Sequence, residues 1–185
     1  MKTKERLDPR RAALLILDVQ EKLFPHVDHP CEVMEKMTLL IQGIKLLDLP
    51  IIATEQYPQG LGPTIKPLRD LIGQEAFYPA KTSFSALGDP QVNRAVEELG
   101  RSQWIVMGIE AHVCVLQTVR DLIGQGKEVI VVNDAITSRS VYDFSSAIAE
   151  MRDMGARIAT TETVLFELLG DAKHPKFKAF SALIR

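Results

Sequence analysis

Three reactive side chains stand just beyond short apolar segments of the sequence. Asp18 directly follows LLIL, Lys81 follows AFYPA, and Cys114 comes a few residues after WIVMG. A thiol attacks a carbonyl carbon as thiolate, and a helix N-terminus with a nearby ammonium group lowers the pKa of a cysteine. Asp18 would take the thiol proton and return it to a leaving amine, while Lys81 orients the carboxylate and stabilises the thiolate. Backbone amides of the turn at residues 110–114 would hold the oxyanion.

Each of these residues also has an ordinary structural explanation. A lone cysteine is usually a small core residue, an aspartate at a strand end often caps a turn, and a loop lysine is usually solvated. A catalytic role is favoured because all three positions fall at predicted strand ends, on one side of one sheet. Ligands of open parallel sheets bind there, near the point where strand order reverses.

The predicted strands are short, nearly continuous apolar runs, as expected for strands buried on both faces. They are Ala12–Leu17, Ile51–Thr54, Trp104–Met107, Val129–Val132 and Arg157–Thr160, with a short additional strand near Ala76–Tyr78.

Three amphipathic helices lie between these strands. Their apolar faces follow a spacing of three and four residues. The faces comprise Val33, Met37, Leu40, Ile41, Ile44 and Leu47; then Val92, Ala95, Val96 and Leu99; then Val141, Phe144, Ile148 and Met151. Asp89 and Pro90 predict an N-cap with proline at the first helical position, and the predicted stops are Gly100, Gly124 or Gly126, and Gly155.

This alternation predicts an α/β fold, a three-layer sandwich around a mostly parallel sheet, with residues 1–185 forming a single domain. The Gly- and Pro-rich segment Tyr57–Pro67 is expected to be an ordered loop over one sheet edge. A final short helix is expected from His174 and Pro175 through Ile184.

Composition limits the classes of partner. The formal charge is −2 and no long run of Lys or Arg occurs, which disfavours nucleic-acid binding and favours a small, roughly neutral ligand. Cys31 and Cys114 are too few for a disulfide framework, and the N-terminal MKTKERLDPRR precedes an apolar run too short for a signal peptide or membrane span. We expect a cytoplasmic protein with reduced thiols and no membrane partner, and a homo-oligomer as the common default.

Four segments also resemble a known family. LLILDVQEKLF, AKTSFSAL, GIEAHVCVLQTVRDL and VVNDAITSRS occur in the same order as in the isochorismatase-like cysteine hydrolase superfamily. The likeness runs from about Ala12 to Thr161. It implies a six-stranded parallel sheet and catalytic roles for Asp18, Lys81 and Cys114. It also implies a cis peptide between Ile109 and Glu110, in the loop that precedes the nucleophile.

Departures within the superfamily narrow the expected chemistry. True isochorismatases resemble this chain but lack the nucleophilic cysteine, so Cys114 favours hydrolysis of a carbon–nitrogen bond through a thioester. Nicotinamidases carry an Asp and, two residues on, a His as metal ligands, where this chain has Glu55 and Tyr57. We therefore expect no catalytic metal and no cofactor. His26, His29 and His174 are expected to be surface or capping residues.

Several residues near the three motifs are candidates for the substrate pocket: Gln20, Phe24, Tyr57, Phe84 and His112. Gln20 would contact the substrate or Lys81, or be a solvated amide. The aromatic residues would form the wall of the pocket or pack in the core. His112 would contact the substrate or make a structural hydrogen bond. Cys31 is expected to be structural, and Asn133 and Asp134 to mark a turn. Thr137, Ser138, Arg139 and Ser140 would bind a carboxylate, bridge a subunit interface or cap the next helix.

The favoured hypothesis is a metal-independent cysteine amidohydrolase acting on a small carboxamide or related compound. One alternative is a nucleotide- or cofactor-binding α/β protein, which the absence of the G-x-G-x-x-G and P-loop patterns from the sequence weakens. Another is a catalytically idle scaffold that kept the fold for oligomer assembly.

Overall fold

The computed structural model describes residues 5–73 and 76–184, so the first four residues of the N-terminal segment lie outside the described part. Within these residues, no helix has both the length and the apolar composition that crossing a bilayer requires. The strands are β1 Ala12–Leu17, β2 Ile51–Gln56, β3 Ala80–Lys81, β4 Gln103–Ile109, β5 Glu128–Thr137 and β6 Arg157–Ala159. The helices are α1 Pro30–Leu46, α2 Pro58–Leu61, α3 Lys66–Ile72, α4 Pro90–Glu98, α5 Leu116–Gly124, α6 Val141–Asp153, α7 Thr161–Leu169 and α8 Phe177–Leu183.

The strands form one six-stranded sheet in the order β3-β2-β1-β4-β5-β6. Every pairing in it is parallel. The chain builds outward from β1 in one direction and from β4 in the other, so strand order reverses between these two strands. The predicted α/β sheet is confirmed, and the carboxyl ends of β1 and β4 lie at its switch point.

Helices cover both faces of the sheet, because its central strands are apolar on both sides. All six residues of β1 are buried. Leu14 and Ile16 pack on the side of α1, α3, α7 and α8, whereas Ala13 and Leu15 pack on the side of α4, α5 and α6. The three-layer prediction is therefore confirmed, and the rigid sheet edge can hold polar groups in fixed positions.

Helix boundaries agree with their sequence signals. Asp89 caps α4, and its Oδ1 accepts hydrogen bonds from the amides of Gln91 at 2.9 Å and Val92 at 3.3 Å. Gly100, Gly126 and Gly155 take positive φ values of 61°, 76° and 99° after α4, α5 and α6. Such values suit glycine and end a helix. The last helix occupies Phe177–Leu183, inside the predicted range.

Three predictions about elements were wrong. Tyr57–Pro67 contains α2 and the start of α3, because Pro58 and Pro67 sit in the first turns of these helices, where proline is favoured. The short strand lies at Ala80–Lys81, just after the predicted Ala76–Tyr78. Val141 is exposed rather than part of the apolar face, since it opens α6 at the sheet edge.

Candidate active site

Asp18 and Lys81 form a fully buried ion pair at the carboxyl edge of the sheet. Asp18 follows β1 in a left-handed conformation, with φ of 54°. Its Oδ2 accepts a hydrogen bond from Lys81 Nζ at 2.7 Å, and its Oδ1 accepts one from Thr54 Oγ1 at 2.7 Å. Neither side chain of the pair is exposed to solvent. Burying two charges is costly, and these additional hydrogen bonds offset the loss of hydration.

The Lys81 ammonium group is surrounded by acceptors. Besides Asp18, its Nζ lies 2.7 Å from Gln56 Oε1 and 3.2 Å from each of the carbonyl oxygens of Ser83 and Phe84. An ammonium group has three N–H donors, so these four acceptors satisfy it fully. Lys81 is thus a fixed positive charge beside the Asp18 carboxylate.

Gly108 brings the ends of β1 and β4 together. Its φ is 138°, and a Cβ at this position would lie 2.2 Å from the carbonyl oxygen of Leu17. No larger residue fits this approach without moving the backbone. The pairing of β4 with β5 also shifts register between Val106 and Gly108. The close contact places the chain after β4 directly beside Asp18.

Cys114 lies in the turn that follows. The peptide bond between Ile109 and Glu110 is cis, as the resemblance implied. Ala111–Val115 then form a wide helical turn, which leads into α5. The Glu110 carbonyl oxygen accepts hydrogen bonds from the amides of Val113 at 3.1 Å and Val115 at 3.2 Å, on either side of Cys114. The cysteine is buried, with 6% of its surface exposed.

The Cys114 thiol lies close enough to both members of the ion pair for each to shift its pKa. Burial raises the pKa of this thiol above its ordinary value of 9.0, the Asp18 carboxylate raises it further, and Lys81 opposes both effects. The prediction of a lowered pKa was therefore wrong, because desolvation and the adjacent carboxylate outweigh the ammonium group. The structure brings Asp18, Lys81 and Cys114 together at this edge of the sheet.

Two side-chain contacts join the Cys114 turn to residues 138–140, between β5 and α6. Arg139 donates from Nε to Glu110 Oε1 at 2.6 Å and from Nη2 to Oε2 at 3.3 Å, and this carboxylate raises the pKa of the guanidinium group. His112 Nδ1 lies 3.0 Å from Ser138 Oγ. Ser140 caps α6. Of the roles considered, Arg139 binds a carboxylate within the chain, Ser140 caps, and His112 makes a structural hydrogen bond.

Of the remaining pocket candidates, Gln20 and Phe24 are buried, whereas Tyr57 and Phe84 are exposed. The Gln20 amide donates to the carbonyl oxygens of Gln56 at 2.9 Å and Gly62 at 2.6 Å, so its proposed contact with Lys81 is wrong. Phe24 packs in the core. Tyr57 and Phe84 are 54% and 55% exposed and lie in segments that contact Lys81 through backbone hydrogen bonds.

Other sequence expectations had mixed outcomes. Cys31 is exposed in the first turn of α1, so its structural role is wrong. His26 and His29 are exposed, and His174 Nδ1 accepts from the amide of Lys176, as expected. Asn133 and Asp134 lie within β5 rather than in a turn, because the strand continues to Thr137.

Thr54 and Gln56 are the site residues that the sequence reasoning missed. Both belong to β2, and the register that pairs Leu17 with Thr54 brings them to Asp18 and Lys81. Their signal was the polar end of a strand directly after the apolar IIA.

The two positions that hold metal ligands in nicotinamidases do not fit a metal here. Glu55 Oε1 already accepts a hydrogen bond from the amide of Thr64 at 2.7 Å. Tyr57 precedes α2, is 54% exposed, and packs its ring against Gly60. Across residues 5–73 and 76–184, no group of three or more His, Cys, Asp and Glu side chains is arranged to hold an ion.

Comparison with known proteins supports this architecture. The chain is 40% identical over 181 residues to isochorismatase domain-containing protein 2 of Danio rerio, and the match covers 97% of this chain and 89% of that protein. The MAR1 ribonuclease of Caenorhabditis elegans superposes with a TM-score of 0.91 at 38% identity, covering 97% of this chain and 92% of that one.

Two YcaC structures are also similar. The Escherichia coli protein, described as an octameric hydrolase of unknown specificity, has a TM-score of 0.94 at 28% identity and covers 100% of this chain and 91% of that one. The Pseudomonas aeruginosa protein, with hexane-2,5-diol and covalent acrylamide, has the same score and identity and covers 100% and 92%. A family model of the isochorismatase domain matches residues 12–163, which include the three residues at the sheet edge. The chain therefore belongs to the isochorismatase family.

Proposed function

We propose that this protein is a cysteine hydrolase that cleaves a carbon–nitrogen bond of a small carboxamide, without a metal, through a thioester on Cys114. The observation that carries the proposal is the contact of the Cys114 thiol with the buried Asp18–Lys81 pair. A nucleophile, a base and a group that orients the base form the arrangement that nucleophilic catalysis needs.

In the acylation step, Asp18 accepts the proton of the Cys114 thiol as sulfur attacks the carbonyl carbon. The electron pair of the carbonyl moves onto oxygen, giving a tetrahedral oxyanion. When this intermediate collapses, the carbon–nitrogen bond breaks and nitrogen takes the proton from Asp18. Ammonia or an amine leaves, and the acyl group remains on sulfur. Lys81 holds the Asp18 carboxylate throughout.

Hydrolysis of the thioester repeats these transfers with water. Asp18 takes a proton from the attacking water, the carbon–sulfur bond breaks, and sulfur regains that proton from Asp18. A carboxylic acid is released and the resting thiol is restored. Because the pKa of Cys114 is raised in the resting site, the thiol is deprotonated only as it attacks.

We assign the oxyanion to the turn after the cis peptide. The amides of Val113 and Val115 are already bonded to the Glu110 carbonyl oxygen. Of the other amides of this turn, we place those of Glu110 and Cys114 around the oxyanion, with Tyr57 and Phe84 walling the pocket.

The relatives support parts of this proposal. The P. aeruginosa protein carries covalent acrylamide, and the E. coli protein is described as a hydrolase and an octamer. These relatives therefore support two more general expectations, that this chain is a hydrolase and that it forms a homo-oligomer. One relative is described as a ribonuclease, but the formal charge of −2 here does not favour a polyanionic substrate.

The test is ammonia release from a panel of small carboxamides by the wild-type protein and by C114A. We expect turnover of at least one amide by the wild type and none by C114A, with melting temperatures that differ little. Retained turnover in C114A would exclude the covalent step. A chain that releases no ammonia from any amide but binds them would favour the idle-scaffold alternative.

A further inference from the structure

Lys81 and Arg139 are each paired with a carboxylate of the same chain. Lys81 is bonded to Asp18, and its other donors point to Gln56 and two carbonyl oxygens. His112 Nε2 lies 4.0 Å from Asp143 Oδ2. The charges of Lys81 and Arg139 are therefore balanced within the chain.

Arg139 is the cation that is bonded to the Cys114 turn, through Glu110. Its side chain is 64% exposed, whereas the Glu110 side chain that binds it is only 10% exposed. Glu110 accepts from Nε, from Nη2 and from the backbone amide of Arg139. Glu110 thus takes the Nε–Nη2 side of the guanidinium group and neutralises its charge.

One carboxylate also stands close to the reacting atom. The charge of Asp18 acts on the Cys114 thiol, and the backbone carbonyl oxygen of Glu110 accepts hydrogen bonds from the amides on both sides of Cys114. A substrate carboxylate entering this site would lose its hydration and find its cations already paired, which is unfavourable.

We propose that the Cys114 site selects uncharged substrates and rejects anionic ones, with Glu110 acting as the specificity-determining residue that occupies Arg139. This inference rests on the proposed function, because it names the charge class of the amide that Cys114 attacks. We therefore expect that amides carrying a carboxylate and substrates carrying a phosphate are not hydrolysed.

The experiment uses two alkylating reagents that differ only in charge, iodoacetamide and iodoacetate. C31S protein leaves Cys114 as the single thiol of the chain, since the sequence has two cysteines. Alkylation rates are followed by intact mass and compared with those of 2-mercaptoethanol, an uncharged reference thiol. We expect the preference of Cys114 for iodoacetamide to exceed that of the reference by about tenfold or more.

The variant E110Q keeps the shape of the side chain and removes its charge. We expect it to free Arg139 and to reduce the preference for iodoacetamide severalfold. The matched control is E150Q, which makes the same charge change in an exposed pair with Arg120 and should keep the wild-type preference. If E110Q does not fold, the wild-type ratio alone decides the proposal.

A Cys114 preference equal to that of the reference thiol would overturn the proposal. If the protonated thiol reacts with neither reagent, the turnover of a matched pair of amides decides it. Turnover of hexanamide and of adipic acid monoamide, with C114A as control, separates this result from failure of the proposed function. Cys114-dependent turnover of both amides at similar rates overturns the charge inference alone. Turnover of hexanamide that survives in C114A overturns the proposed chemistry instead.

Discussion

Lys81 Nζ lies 2.7 Å from Asp18 Oδ2, and neither side chain is exposed. Removing one charge of such a pair leaves the other buried without compensation, at a cost of about 3–5 kcal/mol. K81M should therefore lower the free energy of unfolding by this amount and abolish turnover. Urea unfolding of the purified variant measures the first effect.

The control for this prediction is K66M, because Lys66 forms an exposed pair with Asp70, with 80% of the lysine side chain in solvent. Its loss should change stability by less than about 1 kcal/mol. The double variant D18N/K81M should regain part of the stability lost in K81M and remain inactive. Equal stabilities of K81M and K66M would contradict the buried pair.

Thr54 is a positioning residue for the Asp18 carboxylate, because its hydroxyl donates to Oδ1 at 2.7 Å. T54V keeps the shape of the side chain but removes this donor. We expect a loss of about 1.5–3 kcal/mol in stability and a lower kcat, since a hydrogen bond to a charged group is lost. T54S restores the hydroxyl and should restore kcat. A T54V variant with unchanged kcat would remove Thr54 from the site.

The ionisation of Cys114 provides a pH prediction. Its pKa is raised above the ordinary 9.0, chiefly by burial and by Asp18, so the thiol of C31S protein should show no thiolate absorbance at neutral pH. D18N removes one cause of the shift and should move the titration to lower pH. Thiolate present at pH 7 in the wild-type site would contradict this assignment.

The same shift predicts the direction of a stability change. Above pH 9.0 the unfolded chain releases the Cys114 proton while the folded chain keeps it, so stability falls as pH rises through this range. Below pH 9.0 both the folded and the unfolded chain keep the proton, so Cys114 adds no pH dependence to the stability. C114A should lack this alkaline loss, which melting temperatures of the two proteins across pH 8–10 would measure.

Gly108 tests how the sheet edge is assembled. G108A would place a Cβ 2.2 Å from the Leu17 carbonyl oxygen, so β1 and β4 would have to separate. We expect a loss of several kcal/mol, on the order of the largest single-residue effects. G124A is the matched control, since a Cβ there meets nothing within 4 Å. A stable G108A with wild-type activity would show that this close approach is dispensable.

Much of the fold was accessible from sequence for a physical reason. Strands buried on both faces must be continuously apolar, so Ala12–Leu17 was predicted with its observed ends. Strand β5 was predicted too short, because the polar Asn133 and Asp134 suggest a turn. In the structure Asp134 stays in the strand and its Oδ1 accepts hydrogen bonds from the amide and hydroxyl of Thr161, which anchors α7.

The sequence predicted which three residues meet at the candidate site, but it did not predict the residues that surround them. Strand ends of a parallel sheet meet at one edge, which is enough to bring Asp18, Lys81 and Cys114 together. The contacts of Thr54 and Gln56 depend on the register between β1 and β2, which no local pattern specifies. The direction of the Cys114 pKa likewise depends on three-dimensional burial and could not be read from residue types.

The most direct measurement is the mass of the protein quenched in acid during turnover of an uncharged amide. We expect an acyl adduct that peptide mapping places on Cys114, absent from C114A and lost on exposure to hydroxylamine, as a thioester would be. Steady ammonia release with an unmodified Cys114, and equal release by C114A, would contradict it.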